Sequence, residues 1–365
     1  MVAGTKKQRV FLMVIMGVAL YGCEGPGTAD VAGAAPGAGT SPVVTASAEK
    51  RAPDAAEEGK KDFAAWLDAL KTEAQETRRI KPAVLERALQ GIKPLPRVIE
   101  LDRRQPELTL SFQEYLARTV TKARIAAGRR KMAAHGPLLT EIGKTYGVPP
   151  RFIVALWGIE TDFGRLTGTF PIVEALATLA YDGRRSAYFR RELLDALTIL
   201  DEGHILPERM LGSWAGAMGQ NQFMPSSFLR FAKDHDGDGR RDIWNTTADV
   251  FASTANYLAT SGWQREQGWG RAVRLPQGFD GVLAERKVKK SLAEWAALGV
   301  TGVDGHALPG QSLPAMLVLP NGGDTPRKER AAFLVQENYE VLLKWNRSNL
   351  FALAVGHLAD HLRDR

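Results

Sequence analysis

The run Arg151-Phe-Ile-Val-Ala-Leu-Trp-Gly-Ile-Glu160 is almost wholly apolar, yet it ends in a carboxylate. Val148-Pro149-Pro150 precedes it and Phe163-Gly164 follows. Proline suits a first helical turn and glycine a stop, so the spacing predicts a buried helix. On such a helix Ile153, Leu156 and Trp157 lie seven, four and three positions before Glu160, which puts the carboxyl on their greasy face. A carboxyl deprived of water has a raised pKa and can hold its proton near neutral pH, as a general acid must. The residues alone leave a second use open, a structural Glu paired with a core Arg or a backbone amide. Asp162 is two residues on, roughly 200° around the helix, and faces away.

A second dense segment is Ser213-Trp-Ala-Gly-Ala-Met-Gly-Gln-Asn-Gln-Phe-Met-Pro-Ser-Ser227. Its small residues permit close approach to a ligand, and its amides can donate and accept hydrogen bonds as sugar hydroxyls and acetamides require. Alone it also reads as a Gly-rich turn before a helix. Taken with Gly158-Ile-Glu-Thr-Asp-Phe-Gly164, Arg184-Arg-Ser-Ala-Tyr-Phe189 and Lys344-Trp-Asn-Arg-Ser-Asn349, the segment resembles the lytic transglycosylase B family. The resemblance runs from roughly Lys60 to the C-terminus.

That family cleaves bacterial peptidoglycan, and the resemblance implies a lysozyme-like centre with additional lobes. It implies Glu160 as the single acid and then base, with the muramic acid's own 6-hydroxyl as nucleophile and a 1,6-anhydro product. Ser213 and Asn346 match polar residues that orient the Glu or the acetamide. Gln222 matches a saccharide-binding residue and Tyr115 a tyrosine bordering the cleft. Arg184 and Arg185 match a pair that meets the anionic lactyl or peptide part. Asn221 replaces a glycine, and Trp345 and Phe351 stand where some relatives have tyrosines. A non-catalytic peptidoglycan binder and a muramidase-type hydrolase are the alternatives.

Asp234-His-Asp-Gly-Asp-Gly-Arg-Arg-Asp-Ile-Trp-Asn245 places oxygens at the first, third and fifth positions and Gly239 at the sixth, as an EF-hand calcium loop does. The twelfth position is Asn245 rather than Glu. The resemblance implies an EF-hand-like structural Ca2+ site here, completed by a later carboxylate, with Asp234, Asp236, Asp238, Arg240 and Asp249 as the expected set. An Asp/Gly-rich surface turn is the other reading. The six histidines show no metal-ligand pattern, and His357 and His361 are expected to be solvated. Trp157, Trp214 and Trp345 are candidates to line a sugar groove.

The first 23 residues read as a lipoprotein-type signal: Lys6, Lys7 and Arg9 precede an apolar core that ends at Leu20-Tyr-Gly-Cys23. Cys23 is the only cysteine and is read as the lipid-attachment site, with soluble export after nearby cleavage as the alternative. Residues 24–60 are rich in Gly, Ala, Pro, Ser and Thr and are expected to be a flexible tether. The net charge of +7 suits an anionic partner such as a wall polymer or a membrane surface. Nothing resembles a nucleic-acid-binding motif. A monomeric periplasmic enzyme anchored to the outer membrane is the expectation. Residues 61–365 should form a mainly α (α+β) catalytic region. Within it, 61–140 reads as a helical part and 141–262 as the lysozyme-like core with the acidic loop. Residues 263–338 form a mixed α/β insertion, with strands near 271–275, 315–319 and 331–334, and 339–365 a C-terminal helix.

Overall fold

The computed structural model describes residues 52–104, 110–284, 287–308, 312–321 and 331–363. Cys23, its signal segment and the tether up to residue 51 lie outside the described residues. The first helix, Ala52–Arg78, begins within the stretch assigned to the tether.

The helical periodicity of the sequence holds, but it is cut more often than expected. The helix predicted over 63–89 breaks at Arg79, whose φ of 56° is left-handed, and resumes at Pro82–Leu89. The region 111–141 forms three helices, Phe112–Thr119, Lys122–Ala134 and Gly136–Tyr146. Ser111 and Glu114 cap the first of these reciprocally, each accepting a backbone N–H of the other. The apolar region 173–200 is two helices, Ile172–Tyr181 and Ser186–Asp201, split by a turn in which Gly183 and Arg185 take positive φ. Their facing sides form one core with Phe63, Leu70, Leu85, Phe189 and Phe228.

After Trp263 the chain builds a five-stranded antiparallel sheet in the order Lys289–Ser291, Pro314–Val318, Phe333–Val335, Gly270–Arg274, Thr301–Gly302. Leu317, Leu334, Leu292 and Trp295 fill a separate small core behind it. The expected strands are present, each displaced by one or two residues. Two helices, Glu337–Trp345 and Asn349–His361, close the chain. His357 is not solvated as expected. Its ring lies 5.8, 5.6 and 5.4 Å from those of Phe112, Trp269 and Phe333, and burial holds its pKa below the usual value.

Candidate active site

The helix Pro150–Thr161 is buried from Phe152 to Gly158 and packs against the final helix. Glu160 stands in its last turn, one residue before the helix ends. Asp162, Phe163 and Gly164 then take φ of 50°, 61° and 82° in succession. Two left-handed non-glycine residues cost on the order of 1–2 kcal/mol each and need fixing from outside. Asp162 N–H donates to the Gly158 carbonyl at 3.1 Å and Phe163 N–H to that of Trp157 at 3.2 Å. The Phe163 ring folds back onto Gly158, where a Cβ would stand 2.7 Å from it. A glycine at 158 is what lets the chain reverse so tightly after Glu160.

The Glu160 side chain is partly accessible, yet protein atoms crowd its carboxyl. Loss of hydration raises its pKa to about 7, and only the hydrogen bond from Trp345 opposes the rise. Trp345 Nε1 donates to Glu160 Oε1 at 2.7 Å. Tyr115, 5% exposed on the helix Phe112–Thr119, is near enough for the Glu160 charge to raise its pKa, after burial as the larger cause. Asp162 faces the other way, as the helix geometry predicts. It is held by Arg165 and by Arg124, the latter at 3.5 Å.

Ser213 is 6% exposed and starts a tight turn in which its hydroxyl accepts the Ala217 N–H at 3.0 Å. Gln222 has a φ of 52° and donates through Nε2 to the carbonyls of Thr167 and Gly219 at 3.1 and 2.9 Å. Asn221, the departure from glycine, turns inward instead. Its Nδ2 donates to the Val250 carbonyl and to Thr254 Oγ1 at 2.8 and 2.7 Å, tying the segment to the helix Thr247–Thr260.

Gln220 was not singled out in the sequence, yet it joins three parts of the site. It accepts from Trp157 Nε1 at 2.8 Å through Oε1 and from Thr161 Oγ1 at 3.0 Å through its carbonyl. It donates to the carbonyls of Ile243 and Trp244 at 2.8 and 2.9 Å. A run of small residues and amides hinted at this segment, but nothing local could say which amide reaches Trp157.

Asn346 caps the helix Glu337–Trp345, and its Oδ1 accepts the Ser348 N–H at 3.0 Å. Phe351 is fully buried. Trp157 and Trp214, expected as possible groove residues, are each 4% exposed and belong to the interior; Trp345 is the accessible one of the three. Arg184 and Arg185 are engaged with a partner the sequence did not reveal. Both pair with Asp102, at 3.1 and 2.7 Å, and Asp102 is 2% exposed. Arg184 remains half-exposed, so one side of its guanidinium is open to solvent.

In the acidic loop, carboxylate oxygens of Asp234, Asp236 and Asp249 lie within 4.8 Å of one another. Asp249 comes from the helix Thr247–Thr260, is 1% exposed and accepts the N–H groups of His235 and Asp242 at 2.8 and 2.7 Å. The later carboxylate of Asp249 thus lies beside those of Asp234 and Asp236. Burial, then the charges of Asp236 and Asp234, raise its pKa against those two hydrogen bonds. Asp238 is outside this cluster and accepts the Arg240 N–H at 2.8 Å.

Fold and site together define a lysozyme-like, mainly helical protein with one desolvated glutamate at the end of a buried helix. The chain belongs to the family of the transglycosylase SLT domain, whose pattern matches residues 62–360. It is similar to SltB3 of Pseudomonas aeruginosa, solved in complex with NAG-anhNAM-pentapeptide. The two are 44% identical with a TM-score of 0.78 over 82% of this chain and 79% of that one. The lytic transglycosylase Slt35 of Escherichia coli in complex with calcium matches with 28% identity and a TM-score of 0.69, over 81% and 92% of the two chains. The membrane-bound lytic murein transglycosylase B of Escherichia coli (strain K12) is 40% identical over 169 residues, so the match spans 45% of the length of that curated relative.

Proposed function

We propose that this protein is a lytic transglycosylase of peptidoglycan, with Glu160 as its single acid and base. The observation that carries the reading is Glu160 itself, a partly accessible side chain whose carboxyl has its pKa raised to about 7 by loss of hydration, while Asp162 is committed to arginines. Glu160 gives its proton to the glycosidic oxygen as the bond from the muramic anomeric carbon to that oxygen breaks. The freed carboxylate then takes the proton of the muramic 6-hydroxyl, whose oxygen closes onto the anomeric carbon. No water is consumed and the acid is regenerated. Tyr115, Ser213, Gln222 and Asn346 are assigned to binding and orientation. Arg184 is the better placed of the arginine pair to meet an anionic substituent, because it alone is half-exposed.

Mass spectrometry of digested sacculi is the test. Anhydromuramic ends are expected; reducing ends would make the protein a hydrolase, and intact glycan a binder.

The acidic loop is assigned a structural Ca2+, held by Asp234, Asp236 and Asp249 with Asp238 and the backbone of Arg240 nearby. Three converging carboxylates form a hard-oxygen donor set, which suits Ca2+. Such an ion would offset most of the negative charge of the three carboxylates and take no part in the proton transfers.

Cys23 is assigned as a lipid attachment point that holds the enzyme at a periplasmic membrane face. Among the described residues no helix is long and apolar enough to cross a membrane. Cys23→Ala should remove palmitate labelling and move the protein out of the membrane fraction, with cleavage of solubilised glycan unchanged. An unlabelled parent protein would rule the anchor out.

A further inference from the structure

The Glu160 carboxyl has two oxygens, and only one can carry the transferable proton at a time. Trp345 bears on which one. Its indole N–H is a donor with no acceptor capacity, and it sits 2.7 Å from Oε1. The ring is held firmly in that pose. Its centroid lies 4.7 Å from that of Tyr257 and 5.3 Å from that of Phe223, and Tyr257 Oη donates to the Lys344 carbonyl at 2.7 Å, one residue before Trp345. A tyrosine hydroxyl at this position could donate or accept and would leave the choice of oxygen open. Phe351, at the other departure from tyrosine, brings no polar atom at all.

We propose that Trp345 is a positioning residue that keeps Oε1 as the hydrogen-bond acceptor in both protonation states, so that Oε2 alone carries, delivers and recovers the catalytic proton. The inference rests on Glu160 being the acid and base. In the protonated acid Oε1 is then the carbonyl oxygen and Oε2–H faces the glycosidic oxygen. After transfer the indole N–H stabilises the carboxylate, and Oε2 is free to take the proton of the 6-hydroxyl. Donor and recovering atom are the same, so neither step waits on rotation of the carboxyl.

The titratable and charged groups set around this helix do not supply the same control. Tyr115 has its pKa raised and stays neutral, and Arg124 pairs with Asp162. Lys131 lies over the Trp157 ring at 5.0 Å, and His135 stands 6.0 Å from that ring with its pKa lowered by burial. Tyr257 is a neutral phenol turned to the Lys344 carbonyl, and His357 is enclosed by aromatic rings.

Replacing Trp345 with 3-benzothienylalanine keeps the bicyclic shape and substitutes sulfur for the N–H. Infrared difference spectra against Glu160→Gln, taken below pH 6, isolate the carbonyl stretch of protonated Glu160. With the donor gone, that band should move to higher frequency. The falling alkaline limb of the rate profile should also move up by about one pH unit, the scale of one hydrogen bond to a carboxylate. kcat should fall at the plateau with KM unchanged. An unmoved band, or a limb that stays in place while kcat falls, would mean Trp345 only packs and would overturn the inference. If Glu160→Gln itself remains active, the functional reading fails instead, so the two failures are distinguishable.

Discussion

Glu160→Gln should leave the protein folded and able to bind glycan but remove cleavage. Proton transfer by one positioned group is worth roughly 10²–10⁴ in rate, and here the same group serves both steps, so the loss should reach or exceed the upper figure. An amide matches the carboxyl in shape but cannot donate a proton of comparable acidity. In the parent enzyme, activity should fall as pH rises through about 7, because the raised pKa marks the loss of the proton that starts the reaction. The linkage to stability has the same sign. A carboxyl whose folded pKa lies above its unfolded value contributes stability that is complete below the unfolded value near 4.5 and lost as pH rises through about 7. Glu160→Gln should therefore melt higher than the parent at pH 8 and lose that advantage near pH 4. Cleavage within a few-fold of the parent would sink the single-glutamate mechanism.

Calcium should raise the melting temperature of the parent protein and leave that of Asp236→Ala unchanged. Asp234, Asp236 and Asp249 bring three carboxylates together, and Asp249 is almost fully buried. With no ion their mutual repulsion opposes the fold; with one bound, the repulsion becomes ligation. Saturation at 100 times the dissociation constant is worth about 2.7 kcal/mol, which for a folded region of this size corresponds to roughly 4 °C. Asp236 is the residue to change because it is exposed and accepts only a long 3.3 Å bond from the Asp238 N–H, whereas loss of Asp249 would also release two backbone donors. Differential scanning fluorimetry with calcium and with chelator reads the shift directly. Equal melting curves in both would identify the segment as a turn.

The elements that could be read in the sequence were those written in local chemistry. Pro149-Pro150 and Phe163-Gly164 bracket the Glu160 helix to within a residue or two of its observed ends. Asp249 was within reach because it follows the acidic loop closely in the chain. Long-range pairings were not legible. Trp345 lies 185 residues from Glu160, and no periodicity marks the indole N–H as the donor to its carboxyl. Asp102 is 83 residues from Arg185, so two arginines that looked free to meet a ligand are in fact held together by a buried aspartate. The break at Arg79 escaped for another reason. A left-handed arginine has no sequence signature, and the apolar spacing continues across it.

The Glu160 helix ends at Thr161, and this sets the carboxyl in a field as well as in a crowd of atoms. Backbone dipoles of a helix sum to a partial negative charge at its C-terminal turn, which is where Glu160 stands. A carboxylate at that end is repelled and a neutral acid is not, by about 0.3–1 kcal/mol in exposed settings, or under one pKa unit. The field acts in the same direction as the loss of hydration. The same glutamate one turn earlier would have the apolar neighbours but a weaker push toward the neutral form. The position at the very end of the helix thus adds the field of the last turn's carbonyls to the loss of hydration that favours the neutral form of Glu160.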